Sequence, residues 1–194
     1  DIPSVAWDVS ADKNGEIWAW MDETPDGYIL NIGSENGVYA NTNCNAFFCY
    51  YWDVKKIEFN NLFDTSCVMD MNMMFHSCDN LTELDVSGFK TDKVRSMAGM
   101  FWYCIKLESL DVSKFETGSV ENMARMFWAC ESLRELNVSK FDTKNVTDMT
   151  EMFWGCENLQ NLDISNFYFR EDVKADRMFE RSGVEKILDG LDKG

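Results

Sequence analysis

Hydrophobic and polar residues recur along this chain with a period of 26 residues. The interval separates a column of leucines, a column of phenylalanines and a column of methionines. The leucines are Leu81, Leu107, Leu133 and Leu159; the phenylalanines are Phe89, Phe115, Phe141 and Phe167; the methionines are Met74, Met100, Met126, Met152 and Met178. A fixed period between 20 and 50 residues is typical of proteins built from stacked repeats.

The first half of each repeat alternates with a period of two. In the copy that begins at Leu107, Leu110 and Val112 fall on one face, and Ser109 and Asp111 fall on the other. This pattern predicts a short strand with a buried and an exposed face.

The second half predicts a helix, which Thr117 or Ser119 could cap. Its apolar residues recur at steps of three, three, one and three: Val120, Met123, Met126, Phe127 and Cys130. That spacing is typical of one face of an amphipathic helix. The predicted fold class is therefore α/β: a right-handed, leucine-rich-repeat-like solenoid of 26-residue strand-loop-helix repeats.

The N-terminal stretch does not follow the period and predicts a small β cap. Three alternating segments are separated by dipeptides that favour hairpin turns. The segments are Val5–Val9, Glu16–Trp20 and Tyr28–Ile32, and the dipeptides are Asn14-Gly15, Asp26-Gly27 and Asn36-Gly37. Three regions follow: a β cap and connector over 1–54, about five repeats over 55–190 with degenerate first and last copies, and a tail over 191–194 that we expect to be truncated. Most of the aromatic connector, residues 41–56, is predicted to pack against the first repeat.

The repeated block L-x-x-L-D-V-S-x-F-x-T-x-x-V-x-x-M-x-x-M-F-x-x-C resembles the leucine-rich repeats of BspA-like bacterial surface proteins. It is also similar to the repeats of mycoplasma lipoproteins. The likeness covers about residues 57 to 190, and the Asp-Val-Ser, Phe-x-Thr and Met-Phe-x-x-Cys blocks recur in order. The resemblance implies an extracellular or surface-anchored adhesion module without catalytic activity.

The charge narrows the choice of partner. The chain has 34 Asp and Glu against 18 Lys and Arg, a formal charge of −16. Nucleic acids and anionic lipids both require a basic surface, so neither is expected as a partner. No apolar run is long enough for insertion into a membrane. A basic or neutral partner fits this charge, although the charge could also serve solubility alone.

The exposed side of the predicted strands forms the first candidate binding surface. Its three columns are Glu83, Ser109, Glu135 and Asn161; Asp85, Asp111, Asn137 and Asp163; and Ser87, Ser113, Ser139 and Ser165. Stacked carboxylates repel one another, so water, a backbone donor, a cation such as calcium or a basic ligand should offset the repulsion. The alternative is that the aspartates cap turns or are solvated.

A column of tryptophans forms the second candidate surface. Trp102, Trp128 and Trp154 each follow the Met-Phe pair, and Tyr103 stands beside the first. Exposed indoles suit a glycan, an apolar protein face or self-association. The alternative is a structural ladder in which the rings pack on one another.

The remaining reactive residues do not predict an enzyme. The chain has one histidine, His76, and lacks a glycine-rich phosphate loop and a Gly-x-Ser-x-Gly elbow. We therefore expect no catalytic residue, no metal site and no cofactor. Seven cysteines cannot all pair within one chain. The column Cys78, Cys104, Cys130 and Cys156 is predicted to be buried, and a Cys44–Cys49 bridge stays open.

Two functions remain. The first is a non-catalytic binding or adhesion module, extracellular or at the cell surface, whose partner is a protein or glycan of a host or neighbouring cell. The second is a spacer that projects another domain and has no ligand of its own.

Overall fold

Short strands and tight turns make up the chain. The computed structural model describes residues 18–34, 37–59 and 63–184, together with the backbone of Trp7 and Asp8. Its strands are β1 (Trp7–Asp8), β2 (Trp18–Thr24), β3 (Gly27–Gly33), β4 (Val38–Tyr39), β5 (Val54–Glu58), β6 (Phe63–Asp64), β7 (Glu83–Leu84), β8 (Ser109–Leu110) and β9 (Glu135–Leu136).

A β-hairpin begins the largest sheet. β2 and β3 pair in antiparallel fashion from Trp18↔Gly33 to Thr24↔Gly27, and β3 contains the predicted strand Tyr28–Ile32. Their two-residue turn is Pro25-Asp26, one residue before the predicted position. The predicted turns at Asn14-Gly15 and Asn36-Gly37 involve residues outside the described part of the chain.

The hairpin continues directly into the repeats. The sheet has the strand order β1-β2-β3-β5-β7, in which β3, β5 and β7 are parallel. The predicted boundary between residues 54 and 55 falls inside β5, and the division into a cap and a repeat region stays a prediction. The predicted tail, 191–194, lies outside the described residues.

Parallel pairing joins successive copies at equivalent positions. β8 pairs with β9 through Ser109↔Glu135 and Leu110↔Leu136, both 26 residues apart. On the opposite side of the repeat, isolated bridges connect one copy to the next along Asn43, Asp70, Ser96, Asn122, Asp148 and Lys174. The sequence period therefore corresponds to one step of a parallel stack.

The predicted helices are absent from the described residues. In the copy that begins at Leu81, the Gly99 N–H donates to the Ala124 carbonyl of the next copy at 2.8 Å, and the Trp102 N–H donates to the Gly99 carbonyl at 3.0 Å. Successive β-turns thus alternate with bonds between copies. Gly99 and Tyr103 both have a φ of +62°, a left-handed conformation that interrupts an α-helix. The same left-handed pair recurs four residues apart in the other copies: Met73 and Ser77, Arg125 and Ala129, Glu151 and Gly155, and Arg177 and Arg181.

The predicted fold class is therefore wrong. The described chain is not an α/β solenoid of strand-loop-helix repeats, because turns replace every predicted helix and the sheets are short. Thr117 caps no helix: its buried hydroxyl donates to the Asp142 carbonyl at 3.1 Å and accepts the Asp142 N–H at 2.8 Å. The apolar spacing misled because a series of turns also brings every third residue inward.

Columns of identical side chains form the core. Phe75, Phe101, Phe127 and Phe153 are fully buried and stack with centroid distances of 5.5–5.6 Å and interplanar angles of 4–9°. The Leu, Val, Met and Cys columns are buried beside them. Stacked rings of this kind add to the stabilisation from burial alone.

The connector is only partly packed. Phe48 is 2% exposed and stacks on Phe75, whereas Phe47, Tyr50 and Trp52 are 50%, 57% and 57% exposed. Even so, the Tyr50 ring contacts His76 at 5.2 Å and the Phe47 ring lies 6.3 Å from Phe63, so these exposed rings still touch the first repeat at one side.

Candidate binding surfaces

The strand face displays the three predicted polar columns beside one another. The Glu83 and Asp85 columns are exposed throughout, and in the third column Ser87, Ser113 and Ser139 are half-buried. The partner pairs Ser109↔Glu135 and Glu135↔Asn161 place neighbouring copies in direct register. A ligand on this face would therefore meet a regular polar surface.

The aspartate column stabilises turns. Asp85, Asp111 and Asp163 each accept the backbone N–H of the serine two residues later, at 2.9 Å. The hydroxyl and the backbone N–H of that serine lower the pKa of each aspartate. These carboxylates are therefore charged at neutral pH. Backbone N–H donors offset the repulsion between the stacked carboxylates. This is the turn-capping role that the sequence left open.

Lys56 offsets the negative charge of the Glu83 column near the N-terminal end of that column. Lys56 lies 2.8 Å from a Glu58 carboxylate oxygen and 3.2 Å from one of Glu83. Hydrogen bonds from Lys56 to these two glutamates raise its pKa. Farther along the column, Glu135 stands between the neutral residues Ser109 and Asn161, which limits the repulsion.

A groove of about 720 Å³ opens on this face. Among the described residues, its acidic lining consists of Glu58, Glu83, Asp85 and Asp111, and its basic residue is Lys56. Five of the predicted surface residues line it: Glu83, Asp85, Ser87, Ser109 and Asp111.

The floor of the groove is apolar. Phe59, Phe63 and Phe89 line it with centroids 5.0–5.7 Å apart. Each of these three residues is at most 9% exposed. The groove therefore combines an acidic wall with an aromatic base.

The tryptophan column is a half-buried stack. Trp128 and Trp154 are parallel at 4.4 Å, and Trp102 meets Trp128 edge-on at 5.6 Å. Tyr103 packs against Trp128 at 4.8 Å, and His76 continues the column at 4.7 Å from Trp102. These contacts correspond to the structural ladder that the sequence left as an alternative.

Arginine side chains cover part of this column. The Arg125 guanidinium lies 5.7 Å from the Trp102 ring centroid, and that of Arg181 lies 4.9 Å from the Trp154 centroid. Cation–π contacts of this geometry are attractive. Arg125 is itself paired at 2.7 Å with Glu151, which is 8% exposed. Cations thus lie beside the rings of Trp102 and Trp154, and self-association through this column stays a prediction.

A second concave site was not predicted from the sequence. A pocket of about 310 Å³ is lined by Met21, Tyr28, Tyr50, Tyr51, Trp52, Asp53 and Val54. It forms because the Tyr28 N–H of the hairpin donates to the Asp53 carbonyl of the connector at 3.0 Å. The aromatic composition of the connector was the only sequence signal.

The cysteines are all free thiols, so Cys44 and Cys49 form no bridge. Each thiol in the buried column donates to a carbonyl of an earlier copy, such as Cys130 to Phe101 at 3.2 Å. Burial raises the pKa of Cys78 and Cys156 to about 12, and raises that of Cys130 as well. Within the described chain, no cluster of three or more His, Cys, Asp or Glu has the arrangement of a metal site.

The fold and these surfaces define a class: a stacked-repeat protein with exposed polar columns, an acidic groove and an aromatic-lined pocket. The family model described as "Mycoplasma protein of unknown function, DUF285" matches residues 42–161 and 69–187. These matches together span about three quarters of the 194 residues, so the chain belongs to that family. The family agrees with the resemblance to mycoplasma-type repeats.

Comparisons with curated proteins and with solved structures found no further relative. No curated protein and no solved structure matches the chain significantly. None of the described residues forms a helix with the length and apolar character that crossing a membrane requires.

Proposed function

We propose that the chain is a non-catalytic binding module, displayed outside the cell, whose acidic groove binds a basic segment of a host or neighbouring-cell protein. The observation that supports this most is the groove itself. It joins four carboxylates to an aromatic floor. Lysine and arginine side chains have an aliphatic stem and a charged head, which suit these two surfaces in turn.

Charge on the whole chain supports the same partner. The formal charge of −16 would accelerate the approach of a basic protein. The likeness of the repeats to BspA-like surface proteins supports an extracellular location. Display is testable directly: an antibody against the folded chain should label intact cells that produce it, and labelling only after permeabilisation would contradict the location.

Binding is tested with a labelled lysine–leucine peptide and its glutamate–leucine counterpart, using fluorescence anisotropy. We expect only the lysine peptide to bind, and more weakly as salt is raised. Glu83→Gln with Asp111→Asn should weaken it about tenfold, since two exposed charge contacts together contribute roughly 1.4 kcal/mol. The Asp111→Asn substitution should preserve the turn, because Asn137 accepts the Ser139 N–H at the equivalent position.

A charge-matched control distinguishes binding in the groove from general electrostatic attraction to the acidic chain. Glu116→Gln with Glu131→Gln removes two exposed carboxylates outside the groove lining and should change affinity less than twofold. Equal weakening by both double variants would contradict a groove-specific site. Absence of binding to the lysine peptide would favour the spacer.

A further inference from the structure

The pocket between the hairpin and the connector, which we name the aromatic pocket, differs chemically from the groove. Four aromatic residues, Tyr28, Tyr50, Tyr51 and Trp52, line it together with Asp53. Tyr50 and Trp52 meet nearly at right angles, 78°, with centroids 6.3 Å apart. The two rings thus form an exposed aromatic corner.

Backbone contacts hold the walls of the aromatic pocket in place. The Tyr50 N–H donates to the His76 carbonyl at 2.9 Å, and the Trp52 carbonyl accepts the Asn80 side-chain amide at 2.6 Å. The bond from Tyr28 to Asp53 joins the two segments. These bonds fix the backbone from which the rings project, which reduces the part of the ordering cost that binding would otherwise carry.

Exposure of these rings requires an explanation beyond packing. Tyr50 and Trp52 are each 57% exposed, although buried aromatic columns lie in the adjacent copy. Clustered exposed aromatics typically mark an interaction site. The one charged residue in the described lining is the acidic Asp53, and the nearby Lys55 is paired with Asp26 at 3.0 Å.

We propose that the aromatic pocket binds a quaternary ammonium group, of the kind that choline and betaine present. Such a cation donates no hydrogen bonds and is attracted to the faces of Trp and Tyr rings. Asp53 and the acidic chain favour its charge. An anion would meet no cation in the described lining.

The decisive probes are tetramethylammonium, choline and dimethylbutanol, the uncharged isostere of choline. Ligand-observed NMR on the whole chain should show saturable binding of the two cations. Dimethylbutanol should bind about tenfold more weakly, the size expected for a partly desolvated cation–π contact. Equal binding of choline and dimethylbutanol would overturn the proposal, because it would show a merely apolar cavity. So would absence of binding by tetramethylammonium.

Two variants test the walls of the aromatic pocket. Trp52→Ala and Tyr50→Ala should each weaken choline at least about fivefold. Neither should unfold the chain, since both rings are more than half exposed and Ala129 already occupies the left-handed position equivalent to Tyr50. Tyr168→Ala, which removes another exposed ring, should leave choline binding unchanged. Unaltered binding by Trp52→Ala, or equal loss in Tyr168→Ala, would refute the site.

The source of the cation is resolved by comparing choline, betaine and phosphatidylcholine vesicles, with phosphatidylglycerol vesicles as the control. Preference for free choline or betaine assigns a soluble ligand, and preference for phosphatidylcholine assigns a headgroup. The aromatic pocket shares no lining residue with the acidic groove. Failure of either proposal therefore leaves the other intact.

Discussion

Replacing Thr117 by valine removes a hydroxyl that joins two copies. That hydroxyl accepts the Asp142 N–H at 2.8 Å and donates to the Asp142 carbonyl at 3.1 Å, and Thr117 is 2% exposed. Each buried group left without a partner costs about 1–3 kcal/mol. The new methyl group offsets roughly 0.8 kcal/mol through burial. For the two groups together, we therefore expect a net loss of about 1–5 kcal/mol in the free energy of unfolding.

The measurement is urea unfolding followed by circular dichroism. The midpoint should fall without a change in the denaturant dependence, because the folded state keeps its compactness. The matched control is Thr147→Val. The Thr147 hydroxyl also joins two copies, to the Glu121 carbonyl at 3.0 Å, but Thr147 is exposed. Water can replace its bond, so we expect less than about 0.5 kcal/mol.

Two outcomes would refute this reasoning. Thr117→Val could be as stable as the parent, which would mean that the Asp142 backbone finds other partners. Alternatively, Thr147→Val could cost as much as Thr117→Val, which would show that β-branched isosteres disturb the stack irrespective of burial.

Three further predictions concern buried chemistry. In the native protein a thiol reagent should label the exposed Cys67 and leave Cys130 unmodified until denaturant is added. Peptide mass mapping detects the labelled residues, and labelling of Cys130 before denaturation would contradict its burial. Thiols of the buried column remain protonated in the folded chain above pH 9, where unfolded thiols ionise, so stability should fall as pH rises from about 9 toward 12. Cys130→Ser should reduce that slope by up to about 1.4 kcal/mol per pH unit, and an unchanged slope would exclude this thiol as a cause. Glu151→Gln removes the negative charge from the ion pairs with Arg125 and Arg177, at 2.7 and 3.0 Å. It should cost about 1–2 kcal/mol, since the arginines are half exposed, and high salt should reduce the difference in thermal stability between variant and parent.

Burial in the repeats could be predicted from sequence because it follows the period directly. Leu110 and Val112 are buried and Ser109 and Asp111 are exposed, as their alternation predicts. An alternating segment has only one way to bury its apolar face, and the equivalent residues of the next copy repeat that choice.

The turns could not be predicted from the same spacing. An amphipathic helix and a series of turns both bring every third residue inward, and left-handed residues distinguish them. Gly99 and Gly155 lie at such left-handed positions, as the conformational freedom of glycine favours. Tyr103, Arg125 and Glu151 adopt the same conformation although their residue types do not favour it. Their conformation is stabilised by bonds to the next copy, a tertiary effect that a single copy does not contain.

The aromatic pocket could not be predicted from the sequence for a related reason. Tyr28 and Trp52 are distant in sequence, and only the parallel pairing of β3 with β5 brings the hairpin beside the connector. A connector rich in aromatics predicts packing by composition, because apolar rings usually become buried. The hairpin contributes Tyr28 and Met21 to one side of a cavity, and this leaves the rings of the connector facing an open space.

Adjacent columns of the strand face have separate physical roles. Asp111 directs an oxygen at the Ser113 N–H, so its carboxylate is committed to a turn, in the manner of a helix cap. Glu83 instead lies along the groove, where its side chain is 67% exposed and paired with the amino end of Lys56. A basic ligand can displace that lysine without disturbing the backbone. For the proposed basic ligand, we therefore expect both columns to supply negative charge, while the aspartates also hold in place the turns on which the glutamates are displayed.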